Sequence, residues 1–342
     1  MSSPVEVTCP AGTIIGTARG DISYFHSIQY SRIPAPFDDA EPAPKGLFID
    51  AQRPAPDTTA LSIVAPKTGE DLPVVVHIHG GRFEMGNHED EGSPGEDLAR
   101  NGVILVRIGY RKKLPGLVPF PDDQPHHYRA TDDVALGLEW VQSNIESFGG
   151  DPTNVTLTGQ SAGAAIVLWL MRRDHFRGAF RRAVAMSPAF PRGSFQQRKS
   201  SLRIPTTRRW LNHARPRTLD RAYNRLRRRY FTDMALGPFP LEPEEMADID
   251  LVVSSHEREF QHPIIGNRLT NRIIRNRVRE VVDRAPGTVW SVTFTGDSKH
   301  CDELFPLFSG PLTPWLVEFA SSGAPHLKPE TELALPPATE KK

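Results

Sequence analysis

One short motif limits the folds open to this chain more than any other feature. Residues 159–163 read Gly-Gln-Ser-Ala-Gly, with an apolar strand pattern before them and an apolar helix pattern after them at 164–171. Small residues two positions before and two after Ser161 let neighbouring backbones approach, so the serine can occupy a sharp turn from strand to helix. The helix N-terminus then directs free N–H groups at developing negative charge. Ser161 is therefore a candidate nucleophile in an α/β protein.

Strand and helix patterns alternate along most of the chain. Short apolar runs predict strands at 72–79, 102–110, 154–158, 183–186, 250–253 and 289–294. Amphipathic spacing predicts helices at 130–148, 269–284 and 314–320. Such alternation is typical of a mostly parallel sheet with helices on both faces. The first 30 residues alternate apolar and polar positions and predict a small N-terminal antiparallel ribbon.

A glycine loop follows the predicted strand at 72–79. It reads His-Gly-Gly-Arg-Phe at residues 79–83. A loop in this place can supply backbone N–H donors opposite the serine motif. We expect the N–H groups of Gly81 and Arg82, with that of Ala162, to form an oxyanion hole. One such donor contributes about 10²–10³ in rate.

Longer stretches around both motifs resemble the type-B carboxylesterase family, which includes para-nitrobenzyl esterases and cholinesterases. They are residues 72–81, 138–152 with the run Phe-Gly-Gly-Asp-Pro, 155–163, 180–187 and, more loosely, 315–325. The resemblance implies an α/β-hydrolase fold and carboxylesterase activity through an acyl-enzyme intermediate. It also implies a small-molecule ester as substrate, with no cofactor and no metal. On this basis we expect one α/β-hydrolase domain over residues 1–327 and a flexible tail over 328–342.

The resemblance also implies the order serine, glutamate, histidine for a catalytic triad. By this resemblance, the family's catalytic histidine corresponds to His300, which would act first as general base and then as general acid. By the same resemblance, the family's glutamate, which orients the imidazole, lies in the loop after the strand at 250–253. Glu257 is the preferred acid and Glu259 the rival, because the local glycines that would set the register are absent.

The chain departs from the family pattern in two places. Arg82 stands where the family has a third glycine of the oxyanion loop, so it adds a cation beside the acyl pocket. It could therefore favour acyl groups that bear a carboxylate. The stretch between residue 186 and His300 is also shorter than usual, which predicts a reduced cap over residues 172–235.

The arginine-rich segment, residues 172–230, contrasts with a chain whose formal net charge is zero. It holds eighteen Lys or Arg residues but only Asp174 and Asp220 as acids. Solvated helical faces that pair with acidic surface elsewhere are the favoured interpretation. An acidic partner or anionic substrate is an alternative. It corresponds to a second hypothesis for function, a catalytically weakened family member that binds a partner. No reader motif supports nucleic-acid binding.

Other features concern the compartment and possible membrane contacts. Cys9 and Cys301 share no metal-ligand spacing, so we expect free thiols. The N-terminus has neither a basic start nor an apolar stretch, and the longest apolar run, 162–171, is too short to span a bilayer. These features favour a soluble cytoplasmic protein with no membrane partner.

Two histidine clusters could suggest a metal site. One is His77 with His79, and the other combines Asp122, Asp123, His126 and His127. The resemblance or ordinary loop polarity explains both, so we expect no metal.

Overall fold

The computed structural model describes residues 2–260, 262 and 264–335. Its strands are β1 (Ser2–Cys9), β2 (Gly12–Arg19), β3 (Ile22–Ile28), β4 (Ser31–Arg32), β5 (Glu41–Pro42), β6 (Leu47–Asp50), β7 (Leu61–Pro66), β8 (Leu72–Ile78), β9 (Ile104–Ile108), β10 (Gly150–Gln160), β11 (Arg182–Met186), β12 (Asp250–His256), β13 (Val289–Thr295) and β14 (Glu330–Ala334). Its α-helices are α1 (Glu96–Arg100), α2 (Lys113–Leu117), α3 (Arg129–Asn144), α4 (Ala162–Leu170), α5 (Phe195–Arg198), α6 (Arg208–His213), α7 (Pro216–Arg229), α8 (Gly266–Thr270), α9 (Asn276–Arg284), α10 (Leu304–Phe308) and α11 (Thr313–Ser322). A π-helical turn, Asn271–Arg275, joins α8 to α9, and 3₁₀ turns cover Ile145–Phe148, Lys199–Leu202 and Pro243–Glu245.

Twelve of these strands form one sheet in the order β1-β2-β3-β7-β9-β8-β10-β11-β12-β13-β14, with β6 beside β2. All neighbours from β9 to β14 in this order pair in parallel. The predicted mostly parallel sheet is confirmed, and each predicted strand and helix overlaps an observed one. The carboxyl ends of β10, β11, β12 and β13 therefore meet at one edge, which is where parallel sheets usually carry their sites.

The N-terminal ribbon is larger than expected and is not separate. Strands β1, β2 and β3 pair antiparallel, and β3 continues through β7 to β9. The small ribbon predicted from residues 1–30 is thus the antiparallel edge of the main sheet.

Both faces of the sheet are covered by helices, as the sequence predicts. Val74, Val76 and Ile78 of β8 contribute to a core cluster that includes residues of α3, α4 and α9. Val75, between them, faces a second cluster built with α1, α10 and α11. The alternation follows from the two-residue repeat of a strand, which turns successive side chains to opposite faces.

The expected flexible tail is wrong in its first part, because Glu330–Ala334 forms β14. This strand pairs in parallel with β13, from Ser291 opposite Glu330 to Thr295 opposite Ala334. A polar segment can join a sheet edge through backbone hydrogen bonds alone. Here Leu333 also packs against the second core cluster. Residues 336–342, the rest of the expected tail, lie outside the described residues.

The arginine-rich segment contains strand β11 and then folds into helices α5 to α7. On α7, Ala222, Tyr223 and Leu226 are buried, while most arginines of the helix are exposed. Cys9 and Cys301 are both free. Among the described residues, no helix combines the length and the apolar character that crossing a membrane requires.

Candidate active site

Ser161 lies on the sharp turn that joins β10 to α4. Its φ of 54° and ψ of −110° are an uncommon combination for a residue with a side chain. A Cβ atom on Gly163 would lie 2.1 Å from the carbonyl oxygen of Ile78, and one on Gly159 would lie 2.5 Å from that of Gly163. Glycine is therefore required at both positions. The tight turn holds the Ser161 hydroxyl at the carboxyl edge of the sheet.

His300 follows β13 and its ring points back to the serine. Its Nε2 lies 2.9 Å from Ser161 Oγ, and its Nδ1 lies 2.6 Å from Glu259 Oε2. Phe260 stacks on the ring with centroids 5.7 Å apart. Because a carboxylate only accepts hydrogen bonds, Nδ1–H donates to Glu259 and Nε2 is left to accept the Ser161 proton. The predicted pair of Ser161 and His300, 139 positions apart in the chain, is thus brought into contact.

The acid behind His300 is Glu259, which corrects the preferred choice of Glu257. Glu257 is exposed, and its N–H still donates to the carbonyl of Phe294 on β13 at 2.8 Å. The chain then turns inward, so that Glu259 is only 3% exposed. With no glycine to mark that turn, the sequence did not reveal which of the two glutamates faces the imidazole.

Three hydrogen bonds hold the Glu259 carboxylate. Besides His300, it accepts from Ser187 Oγ at 2.9 Å and from the His256 N–H at 2.7 Å, both on Oε1. These donors fix the orientation of the carboxylate that faces the imidazole of His300.

The predicted oxyanion donors follow two neighbouring parallel strands, β8 and β10. Ala162 is the first residue of α4, so its N–H has no acceptor inside the helix. Gly81 and Arg82 follow β8 with φ values of 101° and 58°. A Cβ on Gly81 would lie 2.4 Å from the carbonyl oxygen of Met85, so this loop conformation requires glycine there.

The side chain of Arg82 contacts Asp233, just after the arginine-rich segment, and Glu84. Its guanidinium donates to the carbonyl oxygen of Asp233 at 2.9 Å and lies 3.9 Å from Glu84. Glu84 in turn contacts Tyr223 and Arg227 of α7. Arg82 and Glu84 therefore connect the loop after β8 to Asp233 and to α7.

Sequence reasoning missed a second polar pair directly behind the triad residues. His256 Nε2 lies 2.6 Å from Glu303 Oε2, and both side chains are buried. Ser187 Oγ lies between Glu303 and Glu259. A signal was available: Ser187 follows β11 and His256 ends β12, so these polar residues share the carboxyl edge with Ser161 and His300.

One candidate metal cluster overlaps a motif that the sequence suggested. Ligand atoms of Asp39, Asp123 and His127 lie within 4.8 Å of one another. Arg129 lies 3.0 Å from Asp39 and 2.7 Å from Asp123, and Arg208 lies 2.6 Å from Asp123. Guanidinium groups therefore already balance both carboxylates.

Comparisons with known proteins find similarity to carboxylesterases and a related hydrolase. A family model described as the carboxylesterase family matches residues 38–212. A probable N-octanoylanthranilate hydrolase of Rhodococcus erythropolis is 34% identical over 208 residues, which are 53% of this chain and 46% of the relative. The para-nitrobenzyl esterase of Bacillus subtilis is 30% identical over 213 residues, 54% of this chain and 43% of the relative. The chain thus spans less than half the length of these two relatives.

A solved structure shares the fold over nearly the whole chain. The carboxylesterase of Geobacillus stearothermophilus superposes with a TM-score of 0.80 at 20% identity, covering 95% of this chain and 92% of that one. At this identity the similarity shows the α/β-hydrolase fold alone.

Proposed function

This chain belongs to the carboxylesterase family, whose model matches more than half of its residues, and we propose that it is a serine hydrolase that cleaves carboxylic esters. The observation that supports this most is the contact chain from Ser161 Oγ through His300 to Glu259, with distances of 2.9 and 2.6 Å. A hydroxyl, an imidazole and a buried carboxylate in this order form the constellation that activates a nucleophile.

In the proposed reaction the ester binds with its carbonyl oxygen near the N–H groups of Gly81, Arg82 and Ala162. Ser161 Oγ attacks the carbonyl carbon while His300 Nε2 accepts the hydroxyl proton. The tetrahedral oxyanion is stabilised by the N–H donors. His300 then gives the proton to the leaving alcohol, which leaves an acyl group on Ser161.

Deacylation repeats these steps with water as the nucleophile. His300 accepts a proton from water, the hydroxide adds to the acyl carbon, and the proton returns to Ser161 as the acid departs. Throughout, Glu259 accepts the Nδ1–H of His300. This bond keeps the required tautomer and stabilises the imidazolium.

The second hypothesis, a weakened family member that binds a partner, fits the exposed arginines of α7 but uses none of this geometry. A retained serine, histidine and acid in hydrogen-bond contact favour catalysis. The chemistry would also accommodate thioesters, lactones or carbamates, whose acyl carbons are attacked in the same way.

Hydrolysis of nitrophenyl acetate tests the proposal. We expect Ser161→Ala to lower kcat by about 10⁴-fold or more, because it removes the hydroxyl that contacts His300. Ser143→Ala is the matched control, since Ser143 is exposed on α3 and donates to the Glu139 carbonyl. If Ser161→Ala hydrolyses the ester as fast as the wild-type protein, the proposed function is wrong.

A further inference from the structure

Behind the triad residues lies a pair of charged side chains that the proposed reaction does not use. His256, the last residue of β12, is 0% exposed, and Glu303, at the start of the turn into α10, is 1% exposed. His256 Nε2 and Glu303 Oε2 are 2.6 Å apart. Burying two such groups is costly unless each stabilises the charge of the other.

The hydrogen bonds around His256 can be satisfied with protons on both of its ring nitrogens. Ser298 Oγ donates to the carbonyl of Thr295 at 3.5 Å, so it can accept from His256 Nδ1–H at 2.9 Å. Glu303 accepts on the opposite side, from Nε2–H. A ring that donates from both nitrogens is an imidazolium.

The same pair is connected to the acid of the triad. Ser187 Oγ lies 2.9 Å from Glu259 Oε1 and 3.4 Å from Glu303 Oε1. Its single proton favours the shorter contact, to Glu259. Two buried carboxylates that share one hydroxyl repel each other, and without a nearby cation one of them would take up a proton.

We propose that His256 is a positioning residue whose positive charge keeps Glu259 and Glu303 ionised together, so that Glu259 stays free to orient His300. The kinetic part of this inference rests on the proposed function. His256 acts through Glu303 and through its own backbone N–H, which donates to Glu259, and it does not contact Ser161.

The charges around the pair agree with this role. Burial opposes a charge on His256, but its hydrogen bond to Glu303 and the charges of Glu303, Glu259 and Asp302 raise its pKa above the usual value. Burial likewise opposes a charge on Glu303, while His256 and the charge of His300 lower its pKa.

Two further groups near the pair carry no positive charge. On β13, His256 faces the ring of Phe294, which has no charge. Burial and the charges of Glu303 and Glu259 raise the pKa of the nearby Cys301 thiol well above its usual value. The thiol is therefore neutral at neutral pH.

The first test compares His256→Gln, Glu303→Gln and the double variant in pH profiles of ester hydrolysis. With His256→Gln, we expect the acidic limb of kcat/KM to move up by about one pH unit, since one proton is then shared between the carboxylates. A shift of about one unit corresponds to about a tenfold loss of kcat on the acidic limb and a smaller loss near neutral pH, with little change in KM. Adding Glu303→Gln removes the second carboxylate charge, so it should restore the limb and kcat to within a few-fold of wild type.

A role limited to packing gives a different result. In that case His256→Gln lowers the rate equally at every pH, and Glu303→Gln adds to the loss instead of relieving it. Either observation, in variants with wild-type circular dichroism, overturns the inference.

A second measurement needs neither the variants nor turnover. In wild-type protein with ¹⁵N-labelled histidine, we expect two protonated nitrogens for the His256 ring at pH 7.5. A neutral ring at that pH overturns the inference even if the protein is an esterase. A protonated ring in a protein without esterase activity would instead leave this charge assignment standing while refuting the proposed function.

Discussion

The arginine-rich segment and the catalytic edge of the sheet both concentrate charge, but they place it differently. The segment holds eighteen basic residues, of which thirteen are exposed, seven of them on α6 and α7. The edge holds two carboxylates and two imidazoles, of which Glu259, Glu303 and His256 are almost fully buried. An exposed ion pair contributes about 0–1 kcal/mol, whereas a buried charge depends strongly on its partner. The effect of a substitution should therefore follow burial rather than the number of charges.

Among the variants that compare the two regions, the largest effect is expected for one of two glutamates that lie two residues apart. We expect Glu259→Gln to lower kcat/KM by about 10³–10⁴, because an amide oriented by the same donors leaves His300 in the wrong tautomer. Glu257→Gln should stay within about twofold of wild type, since Glu257 is exposed and removed from the imidazole. Steady-state hydrolysis of nitrophenyl acetate by both variants measures this. Equal losses in the two variants would mean that the loop is mobile or that its register differs.

One buried arginine of the arginine-rich segment, Arg198, allows buried and exposed charges to be compared within the same segment. Arg198 is buried, lies 2.5 Å from the buried carboxylate of Asp233 and covers the ring of Tyr230. We expect Arg198→Met to lower the free energy of unfolding by about 3 kcal/mol, because it leaves a buried carboxylate with fewer partners. Arg217→Met, at an exposed position of α7, should change it by less than about 0.5 kcal/mol.

Urea unfolding at neutral pH compares the two arginine variants. If the free energy of unfolding falls equally in the two variants, burial does not determine how much an arginine of this segment contributes to stability. The contrast between the two regions would then fail.

How far the sequence predicts the molecule depends on whether neighbours in the chain are neighbours in space. Ser161, Gly159 and Gly163 lie in one continuous motif, and the turn they predict is observed. His300 could be reached through the resemblance alone, because no local pattern connects it to a serine 139 positions away. The strands from β8 to β13 could also be predicted, since a short apolar run in the sequence marks each of them.

What could not be predicted depends on long-range packing. A turn without glycine places Glu259, and not Glu257, behind His300. The donors that hold Glu259 are Ser187, which follows β11, and His256, which ends β12. The pair of His256 and Glu303 joins positions 47 residues apart across two strands. Strand β14 forms from a mostly polar segment. It pairs with β13 through backbone hydrogen bonds, which the side-chain pattern of the sequence does not reveal.

The most direct test of the catalytic account is covalent labelling with a fluorophosphonate, which forms a stable bond only with an activated serine. Wild-type protein should take up one label per chain, and peptide mapping should find it on Ser161. Ser161→Ala should take up none, and Glu259→Gln should react far more slowly than Glu257→Gln. Label on another serine, or a folded wild-type protein that takes up none, would contradict the account.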